Sequence, residues 1–345
     1  MGIFVHQVFT LILGFWWKRK GGGFKGLVQK IHHYKGFLRL IATGTLLNLV
    51  KGKGFKETVE ASDISILLKV LREELSLGKK TYPGIKRSLY WVLEKLAKQG
   101  IVDPLIEAGT IAVLFEVVQK NPTPSDLSLF ALFEILEYGG VEQFVSTIGT
   151  KVLFEKLDSP SFWESALSRS LLSVLARKGE HQTVVPVLLD YSKADNWAKL
   201  EHSVGCLSRI LEETYERLEE KQILDIIASC IVALQNGDTD TRYVGISGLE
   251  FASSEPALRD KISGGTVTLV IKSLKDEDPD IRYYAAKTLG NLKERSAVEE
   301  LKLLLDDLEP VEGARYTKLR RLARSVSDGA REALEKIKGR DSQDE

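Results

Sequence analysis

The sequence predicts an all-α fold, a right-handed α-solenoid of stacked helical repeats, on the strength of three observations. Apolar helical segments recur along most of the 345 residues at a nearly constant spacing. Glycine and proline punctuate the intervals between them, as expected of turns between short helices. Patterns typical of β-strands are nearly absent. Because a single helical repeat cannot bury its own apolar face, we expect the repeats to stack around one continuous core.

The spacing of the apolar segments gives the size of the repeat. Steps from one anchor residue to the next are 40, 39, 35, 42, 40 and 45 residues. The anchors are one large apolar residue in each segment, namely Leu93, Phe133, Leu172, Leu207, Leu249, Leu289 and Leu334. This period is typical of solenoid units that contain two or three helices.

A recurring Gly-Thr pair marks the partner helix in three of the units. The pairs are Gly109-Thr110, Gly149-Thr150 and Gly265-Thr266, and each precedes an apolar segment. Glycine permits the tight turn between two helices, and a threonine hydroxyl can cap the free N–H groups of the next helix. We therefore predict a turn at each glycine and a cap at each threonine.

Two segments carry a resemblance to a known superfamily. Residues 106–109 (IEAG) resemble an armadillo unit, and residues 278–290 (DPDIRYYAAKTLG) resemble a HEAT unit. The resemblance to the armadillo/HEAT superfamily covers residues 24–338. It implies stacked helices with a long binding surface, but no single activity, because this superfamily has many unrelated roles.

The same resemblance implies a structural role for two arginines. Arg242 and Arg282 each follow an aspartate, Asp240 or Asp280, by two residues. HEAT-type units use such acidic and basic pairs between neighbouring repeats. We expect these side chains to tie repeats together rather than to bind a ligand.

The chain is predicted to contain a hydrophobic and basic N-terminal segment at 1–23, the repeat domain at 24–338 and a polar tail at 339–345. Residues 3–17 are mostly apolar. As a helix they would span about 22 Å, short of the roughly 30 Å hydrocarbon core of a bilayer. Aromatic and basic residues close the segment, and the candidate membrane anchor comprises Phe15, Trp16, Trp17, Lys18, Arg19 and Lys20. A helix that caps the end of the solenoid and a misassigned start site remain alternatives to an interfacial anchor.

Charge is balanced over the whole chain but not along it. The sequence has 48 basic and 48 acidic residues, yet residues 1–60 contain ten basic residues and only two acidic ones. The ten are Lys18, Arg19, Lys20, Lys25, Lys30, Lys35, Arg39, Lys51, Lys53 and Lys56. Any attraction to nucleic acid or to an anionic surface is therefore expected at the N-terminal end.

A second basic cluster lies in the stretch that lengthens the final repeat. Its members are Arg315, Lys318, Arg320, Arg321 and Arg324. Inserted residues in a solenoid often lie on the binding face, and several guanidinium groups together can hold phosphate or carboxylate. The alternative is a solvent-exposed basic helix face whose charge is balanced by the acidic residues just upstream.

The sequence contains no recognisable catalytic or metal-binding motif. Its five histidines stand in no such pattern, and the His-Glu dipeptide of HEAT-type hydroxylases does not occur. His202 and Cys206, four residues apart, supply only two potential ligands, so we expect core packing of Cys206 beside a solvated His202. We predict no catalytic residue, no metal and no cofactor. A lyase-type or hydroxylase-type enzyme is the third-ranked hypothesis.

The sequence favours a non-catalytic scaffold or adaptor that binds partner proteins of unidentified kind. Binding to nucleic acid or to an anionic surface through the basic N-terminal region is the second hypothesis.

Trp91, Trp163 and Trp197 are expected mainly in the core. Two cysteines without metal-type spacing suit a reducing compartment, so we expect a cytoplasmic protein, peripheral to or anchored in the membrane on its cytoplasmic side. Scarce Met and Cys with abundant charge are typical of proteins from hot-growing organisms.

Overall fold

A computed structural model gives the structure of most of the chain. It describes residues 23–52, 55–78, 82–120, 127–157, 159, 162–193, 196–311 and 324–341. The described residues divide into two compact units, bounded by Met1–Val152 with Ser161–Leu167 and by Leu153–Pro160 with Ser168–Glu345. Each unit is a stack of short helices, as the sequence predicts.

Unit 1 contains two layers of helices. Its helices are α1 (Phe24–His33), α2 (Gly36–Lys51), α3 (Ala61–Ser76), α4 (Pro83–Lys98), α5 (Asp103–Glu107), α6 (Thr110–Lys120), α7 (Leu127–Glu137) and α8 (Val141–Thr147). One layer is formed by α2, α4 and α7, each packed on the next, and the other by α1, α3, α5, α6 and α8. Two further helices, α9 (Lys151–Leu157) and α10 (Phe162–Leu175), cross the boundary between the units.

Unit 2 repeats this arrangement. A short π-helix at Ala176–Glu180 is followed by α11 (His181–Tyr191), α12 (Trp197–Thr214), α13 (Glu220–Asn236), α14 (Thr239–Ser254), α15 (Pro256–Arg259), α16 (Gly264–Ser273), α17 (Pro279–Leu292), α18 (Val298–Leu303) and α19 (Val326–Asp341). Short 3-10 helices lie at Tyr215–Arg217, Arg295–Ala297 and Leu304–Asp306. The helices α12, α14, α17 and α19 pack in succession. We call these four, with α2, α4 and α7 of unit 1, the ladder helices.

A minimal strand pair precedes the last ladder helix. The strands β1 (Pro310–Val311) and β2 (Arg324–Ser325) pair antiparallel, with Pro310 opposite Ser325 and Val311 opposite Arg324. The remaining described secondary structure is helical, which confirms the predicted all-α class and stacked helical repeats.

The anchor residues deduced from the repeat period lie in the core, with one exception. Leu93, Leu172, Leu207, Leu249, Leu289 and Leu334 are buried. Phe133 is only partly buried, because its neighbour Leu132 occupies the core position of α7 and is fully buried. The predicted repeat is thus confirmed, while the anchor in α7 is displaced by one residue.

The Gly-Thr pairs behave differently from one another. Gly109 and Gly149 adopt positive φ angles of 75° and 78°, which confirms the predicted turns. The cap predicted at Thr110 is wrong, because this residue is already the first of α6 and its buried hydroxyl has no hydrogen-bond partner. Gly265 also lies inside a helix, since α16 begins one residue earlier after the Ser263 cap position.

A buried arginine ties the first helices of unit 1 together. The Arg39 side chain lies in the interior, where Nη1 donates to Glu74 Oε1 at 2.6 Å and Nη2 to Glu73 Oε2 at 3.1 Å. Its Nε donates to the carbonyls of Ile31 and Tyr34 at 3.1 and 2.8 Å. These carbonyls belong to the C-terminal end of α1, where backbone acceptors lack helical partners. Arg39 is therefore structural, which corrects its inclusion among the charges expected to attract phosphate.

We expect Arg39→Ala to lower the free energy of unfolding by about 3–5 kcal/mol, because it breaks the buried ion pair with Glu74 and the bonds to the carbonyls of Ile31 and Tyr34. Urea denaturation followed by circular dichroism measures this change. The matched control is Lys35→Ala, which removes an exposed lysine bonded to Glu73 at 2.9 Å and should cost less than about 1 kcal/mol. Equal losses in the two variants would contradict the assigned role of Arg39.

Candidate functional site

The surface of the ladder helices in unit 1 is the strongest candidate site. On α4, the side chains at Arg87, Trp91, Lys95 and Lys98 recur at intervals of three or four residues and reach solvent, while Val92, Leu93 and Leu96 are buried. Side chains at this spacing share one face of a helix. Together with residues of α2 and α7 they form what we call the Trp91 surface, defined by Lys51, Arg87, Trp91, Glu94, Lys95, Lys98 and Glu134.

Trp91 lies at the centre of this surface. The Lys51 Nζ is 4.1 Å from the centroid of its ring, and the Arg87 Cζ is 5.3 Å away. The expected core position is wrong for this tryptophan, because Tyr90 and Val92 occupy the interior at that turn. The Trp163 and Trp197 side chains lie outside the described part of the structure.

Charged groups around Trp91 are only partly neutralised. Lys98 Nζ lies 2.8 Å from Glu94 Oε1 and 2.9 Å from Glu134 Oε1. Partial burial opposes ionisation of Glu94, but its bonds to Lys98 and the charge of Lys95 hold the pKa of this carboxyl below its usual value. Among the described residues, neither Lys51 nor Arg87 has an ion-pair partner. The Trp91 surface therefore carries an excess of positive charge.

Burial and a neighbouring positive charge both lower the pKa of Lys51, as expected where cations lie close together. Partial burial lowers the pKa of Lys51, and the nearby Lys95 charge lowers it further, while Glu94 opposes the change. An approaching carboxylate would relieve this repulsion. The charges of Lys51, Lys95 and Glu94 are therefore close enough to influence one another.

The ladder helices of unit 2 present a different surface. Burial raises the pKa of the Glu201 carboxyl, an effect that Arg169 opposes and Asp240 reinforces. Burial also raises the pKa of Glu212, and the adjacent Glu213 adds to the effect. Acids of this helix also have arginine partners, since Arg169 Nη1 lies 3.5 Å from Glu201 Oε1 and Arg209 Nε lies 3.1 Å from Glu213 Oε1.

Farther along unit 2, the ladder helices are joined by ion pairs. Lys287 Nζ lies 2.7 Å from Glu250 Oε1. Its hydrogen bond and its charge interaction with Glu250 keep the pKa of Lys287 high although burial acts to lower it. The pair connects α14 to α17 and supports the stack.

Arg242 and Arg282 have the structural role that the sequence predicts. Arg242 binds both carboxylate oxygens of Asp276, through Nε at 2.9 Å and Nη2 at 3.0 Å. Arg282 donates to Asp307 at 2.9 Å and to Glu309 at 2.6 Å. Each arginine thus binds acids farther along the chain.

The basic cluster of the final repeat is only partly described. Arg324 donates through Nη1 to the Tyr283 hydroxyl at 2.7 Å. Arg315, Lys318, Arg320 and Arg321 lie outside the described residues, as does the candidate membrane anchor Phe15, Trp16, Trp17, Lys18, Arg19 and Lys20. Both sites stay predictions.

Several basic residues near the N-terminus have local partners. Lys25 pairs with Glu60 at 3.2 Å and Lys35 with Glu73 at 2.9 Å, in addition to the buried Arg39. Part of the positive charge expected to attract an anionic surface is thus used within unit 1.

His202 and Cys206 are held by separate hydrogen bonds. The His202 Nδ1 is 2.6 Å from the Leu157 carbonyl oxygen, and the side chain is largely buried rather than solvated as predicted. Cys206 is buried beside the Ser173 hydroxyl, 3.5 Å from its sulfur. Across the described ranges, no three His, Cys, Asp or Glu side chains are grouped as metal ligands.

No described helix is both long and apolar enough to cross a membrane. No protein-family model matches the sequence, and no curated protein shows significant similarity to it.

Several solved structures are similar to this chain. An engineered protein shares 17% identity over 93% of this chain and 79% of its own, with a TM-score of 0.44. A designed armadillo repeat protein in complex with the peptide (KR)4 shares 14% identity over 71% of this chain and 99% of its own, with a TM-score of 0.42. A computationally designed armadillo repeat protein for modular peptide recognition shares 13% identity over the same fractions, with a TM-score of 0.42. The fold assignment rests on the helix packing within each unit.

We expect both cysteines to be inert in the folded protein. Burial raises the pKa of the Cys206 and Cys230 thiols to about 11, and the reactive form of cysteine is the thiolate. Neither thiol should react with Ellman's reagent at about pH 8 in the native state, whereas both should react once guanidinium has unfolded the chain. Rapid reaction of one thiol in the folded protein would contradict the described burial.

Proposed function

We propose that this protein is a non-catalytic scaffold that binds an acidic segment of a partner protein on the Trp91 surface. The observation that carries the proposal is the partly exposed tryptophan with two cations over its ring. Stacked helical repeats offer long surfaces of this kind for extended or helical partner segments.

Tryptophan and arginine supply much of the binding energy at protein interfaces. An apolar side chain of the partner can pack on the Trp91 ring, while its acidic neighbours meet Lys51 and Arg87. The positions of the cations support recognition of carboxylates in particular, because Lys98 already has two carboxylate partners whereas Lys51 and Arg87 have none among the described residues. The proposed partner segment therefore combines acidic residues with at least one apolar residue.

Selection from a display library of random peptides on the full-length protein tests this proposal. We expect enrichment of peptides that contain Asp or Glu next to an aromatic or aliphatic residue. Trp91→Ala should weaken the selected peptides by about tenfold or more, as at interface hot spots. The control is Leu303→Ala, which removes an apolar side chain 74% exposed on α18 of unit 2 and should leave the affinity unchanged.

Two outcomes would overturn the proposal. One is peptide binding that Trp91→Ala and Leu303→Ala affect equally. The other is tighter binding of single-stranded homopolymer nucleic acid than of any selected peptide, lost in Trp91→Ala, because bases also stack on aromatic rings flanked by cations. The second result would establish the nucleic-acid hypothesis at this surface.

We further propose that residues 15–20 hold the scaffold at a membrane surface, which the Phe-Trp-Trp and Lys-Arg-Lys sequence supports. The full-length protein should float with vesicles of phosphatidylcholine and phosphatidylserine, and the double variant Trp16→Ala, Trp17→Ala should not. Equal flotation of both proteins, or of neither, would count against the anchor.

A further inference from the structure

Unit 2 contains a cleft at the ends of four helices, separate from the Trp91 surface. The cleft has a volume of about 500 Å³ and opens to solvent. It is lined by Ser254, Arg259, Gly290, Asn291, Lys293, Lys336 and Gly339. These residues come from the C-terminal ends of α14, α15, α17 and α19. Volumes of this size are typical of sites for small molecules.

The charge of the lining has one sign. Arg259, Lys293 and Lys336 are cationic, and none of the residues that line the cleft is acidic. Lys336 is partly neutralised, since its Nζ donates to Glu332 at 2.8 Å and to Asn291 Oδ1 at 2.9 Å. Arg259 donates through Nε to the Ser253 carbonyl at 3.1 Å. Within the described part of the chain, neither Arg259 nor Lys293 has an ion-pair partner.

Lys293 adopts a backbone conformation that disfavours lysine. Its φ and ψ are 53° and 45°, and it is the one non-glycine residue with positive φ in the described ranges. The conformation ends α17, with the Glu294 N–H bonded to the Leu289 carbonyl at 3.0 Å. Glycine is the usual residue at this position of a helix end, and this chain places glycine at its other positive-φ sites, such as Gly100 and Gly149.

A strained residue at a ligand-sized cleft is a pointer to function. Gly or Asn at 293 would end the helix with less strain but would remove a cation from the lining. Lys293 thus has a strained backbone conformation at a place where its positive charge lies with those of Arg259 and Lys336. This combination is independent of the Trp91 surface, because it lies in the other unit.

We propose that this cleft binds a small multivalent oxyanion, such as a phosphate ester or a polycarboxylate. Arginine and lysine both form charge-assisted hydrogen bonds with such groups. Arg259 and Lys293, which have no carboxylate partner among the described residues, would each gain an anionic partner beside Lys336. The Asn291 amide is already bonded to Lys336 and Ser253 and supports the lining rather than the ligand. The ligand is expected to carry at least two negative charges, to match the uncompensated cations.

The alternative role for these cations is to offset the negative C-terminal ends of the helices around them. The two roles differ in their consequence for anion binding. Lys293→Gly relieves the left-handed strain under either role, so the melting temperature does not separate them. Under the proposal, affinity for the anion falls in this variant, whereas charges that serve only the helix ends give no specific anion binding to lose.

Isothermal titration of the full-length protein with pyrophosphate and with citrate, at constant ionic strength, tests the proposal. We expect saturable binding of at least one of the two, weakened about tenfold in Lys293→Gly and in Lys293→Asn. The pyrophosphate and citrate arms identify which oxyanion chemistry the cleft prefers. The control Lys272→Ala removes an exposed lysine of α16 that does not line the cleft and should bind as the wild type does.

Three results would overturn the assignment. One is the absence of saturable binding of either anion to the wild-type protein. Another is equal weakening in Lys272→Ala and Lys293→Gly, which would show a general effect of charge. The third is unchanged affinity in both Lys293 variants. Melting temperatures of all variants accompany the titrations, so that loss of binding through unfolding is recognised directly.

Discussion

Close packing between successive ladder helices is the constraint on which the rest of the structure depends. In unit 2 it requires residues without a side chain: a Cβ at Gly290 of α17 would lie 2.6 Å from Ala333 Cα of α19, and one at Gly248 of α14 would lie 2.5 Å from Ser208 Oγ of α12. Distances under 3 Å cannot be accommodated without moving the backbone or its neighbours. Because the helices approach this closely, only one narrow face of each reaches solvent. The side chains on that face, at intervals of three or four residues, are what a partner can contact.

The same packing determines how arginine and lysine are used. Cations near the ends of helices bind carbonyls and carboxylates, as Arg39, Arg242 and Arg282 do. Such residues stabilise the stack and are not available to a ligand. Among the described residues, Lys51 and Arg87 at the Trp91 surface and Arg259 and Lys293 at the cleft of unit 2 have no carboxylate partner, and the two proposals rest on these cations. The local charge and its ion-pair partners, rather than the zero net charge of the whole chain, indicate where an anionic group would bind.

The sequence predicts the fold well, because helix periodicity and repeat spacing follow from burial alone. The repeat period located the buried anchors to within one residue, and the resemblance to HEAT units correctly implied structural roles for Arg242 and Arg282. The candidate site was not predicted. The sequence pattern predicts a core position for Trp91. Which of Tyr90, Trp91 and Val92 faces the interior depends on the rotation of α4 against its neighbours, and the sequence does not show this rotation. Likewise, the partners of Arg39 lie more than 30 residues away along the chain, and nothing in the local sequence identifies them.

The most direct test of the central claim is hydrogen exchange of the full-length protein with and without a selected acidic peptide. Binding at the Trp91 surface predicts slower exchange in α2, α4 and α7, with α16 of unit 2 unchanged, and loss of this protection in Trp91→Ala. Protection confined to unit 2, or protection that persists in Trp91→Ala, would contradict the claim that the Trp91 surface is where this scaffold holds its partner.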